Sequence, residues 1–181
     1  MGRSYEEITD GVAGWIGKQQ MFFVATAPAD GGHINVSPKG LDTLRIVGSN
    51  TVEYLDLTGS GAETIAHLRD NGRVTMMFCA FDGPPRIVRL YGKGSYIAAT
   101  DMEFAEAAAP FGEQHGARSV IRIDVDRVAD SCGYAVPRYE YVEQRTKLRA
   151  WADNRDDEEL KDYWAEKNAK SIDGLPALEP S

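Results

Sequence analysis

The first twenty residues carry a helical pattern of apolar positions. Ser4 followed by Glu7 matches a capping box, in which each side chain satisfies a backbone N–H group of the first helical turn. Apolar residues then recur at helical spacing and form one stripe. The members of the stripe are Ile8, Val12, Trp15 and Ile16. The pattern predicts a helix that ends near Gln20.

From Met21 onward the pattern becomes typical of strands. Seven short segments are β-prone or alternate between apolar and polar residues, and turn-rich stretches such as PADGG and DGPP separate some of them. These segments are MFFVATA, HINVS, LRIVG, TVEYLDLT, RVTMMFCAF, RIVRLYGKGSYIAA and SVIRIDVDRV. Several short strands joined by turns predict a mainly β fold, a barrel or a sandwich, rather than a parallel α/β sheet.

Two helices interrupt the strands, and a charged helical region follows them. ETIAHLRDNG predicts a helix that ends at Gly72, and DMEFAEAAAPFG predicts a helix capped by Asp101. After Cys132, VEQRTKLRAWA and DEELKDYWAEKNAK place apolar residues at helical spacing among charges. That region is too poor in core residues to fold alone. We therefore expect a barrel domain over residues 1–132 and a helical extension over residues 133–181, packed on the barrel or on a partner chain.

Length and charge narrow the class of protein. A chain of 181 residues with 43% hydrophobic and 27% charged residues matches one folded domain with an extension. Its net charge of −8 opposes binding to nucleic acid or to an anionic membrane, because both require clustered positive charge. The polar, acidic N-terminus lacks the apolar core of a signal peptide, and the two cysteines have no CxxC spacing. We expect a cytoplasmic protein without disulfide bonds or a metal site.

The segment TGSGAET, residues 58–64, is the first candidate for chemistry. It follows a strand and opens a helix, and Ser60 with Glu63 matches a second capping box that places the helix start near Gly61. Free amides and the helix dipole at such a place favour an anion. The alternative is an ordinary strand–turn–helix link formed for packing, and Glu63 would repel an anion.

The segment INVSPKG offers a second candidate anion site. If Ile34 and Val36 face the core, then Asn35, Ser37 and Lys39 project from the opposite face. A hydroxyl group and an ammonium group on one face can bind a phosphate through a hydrogen bond and a point charge. The alternative is a solvated edge strand that ends at Pro38.

A third candidate is an arginine in an apolar strand. In RIVRLYG, Arg89 shares a face with Ile87 and Tyr91 and needs an anionic partner if it is buried. The partner is either a ligand phosphate or a carboxylate such as Asp56.

Histidines and cysteines offer weaker signals. His33, His67 and His115 match no metal-binding spacing, and the spacing of His67 from Glu63 indicates a surface pair on one helix. Cys79 is expected to be a small core residue.

Read together, four segments resemble the pyridoxamine 5′-phosphate oxidase-like, FMN-binding split-barrel family. They are INVSPKG, YLDLTGSGAETIAHLRDNGRVTMMFCAF, PPRIVRLYGKG, and a C-terminal block that includes SCGYAVPRYEYVEQRTKLRAW and SIDGLPAL. Within the family, the chain is similar to an uncharacterised bacterial subfamily. The resemblance implies a six-stranded antiparallel split barrel that forms a homodimer, with two FMN sites at the interface built by residues of both chains.

The resemblance also implies the residues at the phosphate end of the flavin site. Ser37 and Lys39 match the strand end that holds the FMN phosphate and the flavin edge. Thr58 and Ser60 match the hydroxyl-bearing turn beside the phosphate.

At the ring end, Arg89 matches a polar strand position that faces the flavin, and Trp151 resembles the aromatic residue that the partner chain contributes. Tyr91 and Tyr134 are further candidates for the substrate side, and no catalytic acid or base is assigned.

Two departures bear on the reaction. The oxidase itself carries an Arg–Lys pair where this sequence has Glu63–Thr64, and SIDGLPAL replaces its C-terminal Arg-x-His motif. The resemblance therefore implies FMN-dependent oxidoreduction of a small molecule other than pyridoxamine phosphate. Three alternatives remain for the function: a haem-binding or haem-handling barrel with His33 or His67 as axial ligand, a non-catalytic flavin-binding module, and a purely structural dimer. For the cofactor, the resemblance also leaves a deazaflavin open, since some split barrels bind one.

Overall fold

The computed structural model describes residues 2–179 and contains one antiparallel sheet with flanking helices. The strands are β1 (Arg3–Tyr5), β2 (Phe22–Thr26), β3 (Asn35–Lys39), β4 (Leu44–Gly48), β5 (Thr51–Leu57), β6 (Arg73–Cys79), β7 (Ile87–Ala98) and β8 (Ala117–Ser131). The helices are α1 (Asp10–Ile16), α2 (Glu63–Asp70), α3 (Phe104–Ala108), α4 (Lys147–Asp153) and α5 (Asp157–Lys167). The mainly β architecture with a helical C-terminal region is confirmed.

The sheet has more strands than the family resemblance implies. Its order is β3-β2-β6-β7-β8-β5-β4, and β1 pairs with the end of β8, which gives eight strands in the described chain instead of six. The seven segments predicted from alternation all form strands. None of the helices in residues 2–179 is long and apolar enough to cross a membrane.

The prediction of a capping box at Ser4 and Glu7 is wrong. Ser4 lies in β1 and pairs with Ala129, so the chain begins as an edge strand instead of a helix. The helix that follows starts later, with Thr9 as the N-cap that accepts from the Val12 amide, and it ends at Ile16. Backbone pairing with the long strand β8 prevails over the local capping signal.

Two further helix starts also differ from the prediction. Helix α2 begins at Glu63 after Ala62, which makes no side-chain capping bond, so the Ser60–Glu63 box is wrong. Its predicted end is confirmed, because Gly72 follows the C-cap with a positive φ of 72°. Asp101 accepts from the Ala98 amide, while Glu103 precedes α3, so Asp101 is a turn residue instead of a helix cap.

Strand β3 has its two faces reversed relative to the prediction. Ile34 and Val36 are 76% and 60% exposed, whereas Asn35, Ser37 and Lys39 turn inward. The reason is that polar partners lie on the inner side. Asn35 Nδ2 donates to Thr26 Oγ1 and Thr64 Oγ1 at 3.3 and 3.2 Å, and Lys39 reaches a buried carboxylate. Because satisfying these groups outweighs covering two apolar side chains, the edge strand keeps its polar face inside.

The C-terminal region packs on the barrel of its own chain. Ala177 and Leu178 belong to the main core cluster, together with Val24, Met76 and Leu90. Helix α4 starts only at Lys147, so residues 142–146 of the predicted helix VEQRTKLRAWA lie outside it and form no regular secondary structure. The boundary between residues 132 and 133 stays a prediction.

Candidate functional site

A cavity of about 1430 Å³, here called the cleft, opens between one end of the sheet and an extended C-terminal segment. Its floor is formed by residues 38–41 at the end of β3, together with Leu55 and residues 57–59 at the end of β5. The segment opposite, residues 138–145, is here called the strap. The cleft exceeds the 300–1,000 Å³ that is typical of ligand pockets.

The strap is tied to the barrel near both of its ends. At the first end, the Tyr139 amide donates to the Phe81 carbonyl at 2.8 Å, and the two rings stack with centroids 5.3 Å apart. At the second end, the Gln144 side chain accepts from the Leu41 amide at 3.0 Å and donates to the Gln20 carbonyl at 2.9 Å. These contacts hold the strap as one wall of the cleft.

A buried ion network underlies the floor of the cleft. Asp56, which is 1% exposed, accepts from Lys39 Nζ at 2.7 Å on one oxygen and from Arg118 Nε at 2.7 Å on the other. Burial alone would raise the pKa of Asp56, but the charges and hydrogen bonds of Arg118 and Lys39 lower that pKa to about 2. We call Lys39, Asp56 and Arg118 the ion network.

The ion network leaves one positive charge beside the cleft. It contains two cations and one carboxylate, and Lys39 is the member that lines the cleft. An ammonium group carries three donors, of which Asp56 takes one. The floor of the cleft can therefore donate to an electronegative ligand atom and attract an anion.

The hydroxyl group of Thr58 serves the fold. Thr58 is 3% exposed; its Oγ1 donates to the Gly116 carbonyl at 2.7 Å and accepts from Trp164 Nε1 at 2.8 Å. Thr58 lines the cleft, as predicted for a site residue, but its hydroxyl already has two partners. Ser60 is exposed and does not line the cleft.

The remaining predicted site residues lie outside the cleft of their own chain. The Ser37 hydroxyl donates to Asn35 Oδ1 at 3.0 Å. Arg89 Nη1 donates to Ser131 Oγ at 3.3 Å, so the suggested pairing of Arg89 with Asp56 is wrong. Trp151 packs edge-to-face with the ring of Tyr163. The cleft thus brings together two of the six predicted residues, Lys39 and Thr58.

The histidines are placed away from the cleft. His67 is fully buried and its Nδ1 contacts Thr26 Oγ1 at 2.9 Å, so the predicted surface pair with Glu63 is wrong. Glu63 instead accepts from the Ile172 amide. His33 is exposed and contacts Asp173. Within residues 2–179, no group of three or more His, Cys, Asp or Glu side chains is arranged to hold a metal ion.

Sequence reasoning missed the residues that organise the floor. Arg118 lies at the start of β8, where nothing in the local pattern distinguishes it from the solvent-facing Arg122 on the same strand. Asn168 follows α5 and bonds to Arg118 across 50 residues. Contacts between residues this far apart leave no local signal.

Comparison with known proteins identifies the family to which this chain belongs. The family model described as pyridoxamine 5′-phosphate oxidase matches residues 8–132. The chain is 42% identical over 193 aligned residues to the pyridoxamine 5′-phosphate oxidase family protein ustO of Aspergillus flavus, and the alignment covers 96% of this chain and 77% of the relative. Because this relative is fungal, the bacterial subfamily has no support here.

Solved structures support the same fold. The crystal structure of Group A Streptococcus HupZ superposes with a TM-score of 0.54 at 25% identity, covering 67% of this chain and 91% of that one. A Lactobacillus delbrueckii protein superposes with a TM-score of 0.53 at 18% identity, covering 68% of this chain and 94% of that one. The chain belongs to the pyridoxamine 5′-phosphate oxidase family and has its split-barrel fold.

Proposed function

We propose that this protein binds FMN in the cleft and acts as an FMN-dependent oxidoreductase on a small molecule. The observation that carries the proposal is the floor of the cleft, where an ammonium group with spare donors meets an aliphatic surface. Lys39 provides the ammonium group, and Leu55 and Leu57 provide the aliphatic surface. Membership of the family adds an independent reason, since the resemblance to its FMN-binding members implies the same cofactor.

The residues that line the cleft fit a flavin nucleotide. Such a molecule needs an apolar slot for its ring and cations for its phosphate. The leucines of the floor and the aromatic residues Phe81 and Tyr139 supply apolar surface to the lining of the cleft. Lys39, Arg145 and Lys147 supply cationic side chains around it. Lys39 would hold the flavin edge or the phosphate.

The chain's own contribution to the reaction would be to orient and shield the cofactor. A bound FMN would supply a hydride acceptor and donor at its N5 atom. The strap would limit the access of water to one side of the cleft, and the ion network would keep a positive charge at its floor. The volume beyond that of one cofactor leaves space for a substrate under the strap.

The proposal includes a homodimer in the cytoplasm. Arg89 and Trp151 lie outside the cleft of their own chain, so they would reach a flavin only from a second copy. Two outward-facing apolar residues, Val36 on the edge strand β3 and Ile34 just before it, favour a covered surface. The two free thiols, Cys79 and Cys132, suit a reducing compartment. Static light scattering of the purified protein tests the dimer, and a monomer at all concentrations would contradict it.

Absorption spectroscopy and titration test the cofactor. We expect freshly purified protein to show two broad flavin bands, and stripped protein to regain them on addition of FMN. A single sharp Soret band would instead indicate haem, although none of the described histidines lines the cleft. Bleaching of the flavin bands by NADH or NADPH, followed by turnover with an acceptor, tests the enzymatic part. A flavin spectrum without bleaching or turnover would favour a binding module.

A further inference from the structure

A chain of buried polar groups connects the C-terminal helix α5 to the floor of the cleft. Asn168, the residue that ends α5, accepts from Arg118 Nη1 at 2.8 Å. Arg118 donates through Nε to Asp56, and the second oxygen of Asp56 holds the Lys39 ammonium group. The connection therefore runs from α5 through β8 and β5 to the end of β3.

Each buried member of this chain is fixed by several partners. Asn168 is completely buried, and its Nδ2 donates to the Gly59 carbonyl at 3.0 Å while its Oδ1 accepts from Arg118. Arg118 is 5% exposed and also donates to the Gly61 carbonyl at 2.8 Å. A guanidinium group has a rigid fork of donors, so the position of its acceptors determines its orientation. Removing or charging Asn168 therefore changes the group that orients Asp56.

We propose that Asn168 is a positioning residue that acts on the Lys39 ammonium group through Arg118 and Asp56. Helix α5 thereby sets the positive charge that the cleft presents to an anionic ligand. The choice of FMN as that ligand rests on the proposed function, whereas the effect on Lys39 does not depend on it. A neutral amide at this place keeps the net charge of the ion network at one positive unit, and a carboxylate would reduce that net charge to zero.

The first arm of the test titrates stripped protein with FMN and follows flavin fluorescence. Asn168→Asp keeps the shape of the side chain but replaces the donor to the Gly59 carbonyl with an acceptor. It also adds one negative charge on the order of 10 Å from the Lys39 nitrogen, as three successive hydrogen bonds separate the two groups. At the effective dielectric of protein sites, a charge at that distance changes the affinity for an anion about tenfold. We expect Asn168→Asp to bind FMN about tenfold more weakly than the unchanged protein. The matched control is Asn154→Asp, which adds the same charge at an exposed helix end.

The second arm does not depend on FMN. The stripped protein is treated briefly with acetic anhydride, and acetylation of each lysine is measured by mass spectrometry. In Asn168→Ala, Arg118 loses an acceptor and holds Asp56 less firmly, so the pairing with Lys39 loosens. We expect Lys39 to react about threefold faster, because a weakened ion pair of this size leaves its amine more available to the reagent. Lys18 and Lys161 serve as internal references whose rates stay unchanged.

The two arms separate the possible failures. If FMN binds to the unchanged protein and both Asn168→Asp and Asn154→Asp bind it equally well, the positioning role is overturned. If no FMN binds to any form, the proposed function fails, and the acetylation rate of Lys39 alone decides the positioning role. An unchanged Lys39 rate in Asn168→Ala overturns it. If Asn168→Asp does not fold, Asn168→Ala serves in both arms, and circular dichroism with a cooperative melting curve establishes that each variant is folded.

Discussion

Replacing Asp56 by Asn removes the only carboxylate of the ion network. The amide keeps the size of the side chain, so packing around it is retained. Arg118 and Lys39 then lose the charge that neutralises them, and Arg118 stays buried at 5% exposure. Breaking a buried ion pair by removing one partner destabilises a protein strongly, because a charge without compensation stays in a low-dielectric environment. We therefore expect a marked loss of stability in Asp56→Asn.

The pKa of Asp56 gives the size of the effect. Its value of about 2 lies below the ordinary value of 3.8 for an aspartic acid. Since one pKa unit corresponds to about 1.36 kcal/mol, the ionised carboxylate contributes about 2 kcal/mol to the free energy of unfolding at neutral pH. In Asp56→Asn, the two cations that remain without a carboxylate lower the free energy of unfolding further. We expect a total loss of about 3–5 kcal/mol, which is typical when one partner of a buried ion pair is removed.

The pH dependence has a defined sign. A carboxylate whose pKa is lowered in the folded state contributes stability above its unfolded pKa, and that stability is lost as the pH falls toward the folded value. The unchanged protein should therefore lose this contribution as the pH falls from about 4 to about 2. Asp56→Asn has no such group to titrate, so the difference in stability between the two proteins should narrow over the same range.

Urea denaturation followed by circular dichroism measures both effects. The matched control is Glu53→Gln, because Glu53 lies on the same strand, is 3% exposed and pairs with Arg122. The Arg122 side chain is half exposed, so water can solvate it once its partner is gone, and we expect a loss of only about 1 kcal/mol. Two results would contradict this expectation. One is a free energy of unfolding for Asp56→Asn that lies within about 1 kcal/mol of that of the unchanged protein at pH 7. The other is a difference between the two proteins that stays the same as the pH is lowered.

Three other variants test separate parts of the structure. Lys39→Ala should weaken FMN binding by about 1–3 kcal/mol in a fluorescence titration, because a charge-assisted hydrogen bond is lost, whereas Lys18→Ala should bind normally. Equal affinities would remove Lys39 from the site. Trp164→Phe should lower the free energy of unfolding by about 1 kcal/mol, since its Nε1 no longer donates to Thr58; an unchanged urea midpoint would contradict this. Tyr139→Ala should make the strap more sensitive to limited proteolysis by removing the ring stack on the barrel. An identical digestion rate would show that this stack does not hold the strap.

For strands with one buried face, the alternation of apolar and polar residues was sufficient to predict which side chains are buried. In β8, Ile121, Ile123 and Val125 are buried while Arg122 and Asp124 are exposed, as their period-two pattern predicts. This works because the apolar face of that strand packs against the core, whereas its charged face borders solvent.

Alternation gave the two faces of β3 correctly but assigned the wrong one to the core, because the polar face lies inward. The identity of the buried face depends on Thr26 and Thr64, which lie on other elements and satisfy Asn35. Local hydrophobicity alone favoured the exposed residues Ile34 and Val36.

The candidate site was predictable only in part. Lys39 could be selected because its own segment places a cation at the end of a strand. Its pairing with Asp56 and the link from Asp56 to Arg118 span 17 and 62 residues, and only the assembled sheet brings them together. The Trp164 bond that occupies the Thr58 hydroxyl spans 106 residues and depends on how α5 docks. No local pattern contains that information.

A crystal structure of the protein grown with FMN would show whether the cleft is the flavin site. We expect the flavin to lie in the cleft, between the floor and the strap, with one of its electronegative atoms within about 3.2 Å of Lys39 Nζ. We also expect Asp56 and Arg118 to keep their present contacts beneath it. A flavin bound elsewhere on the chain, or a Lys39 side chain turned away from a flavin in the cleft, would show that Lys39 and the cleft do not form the site.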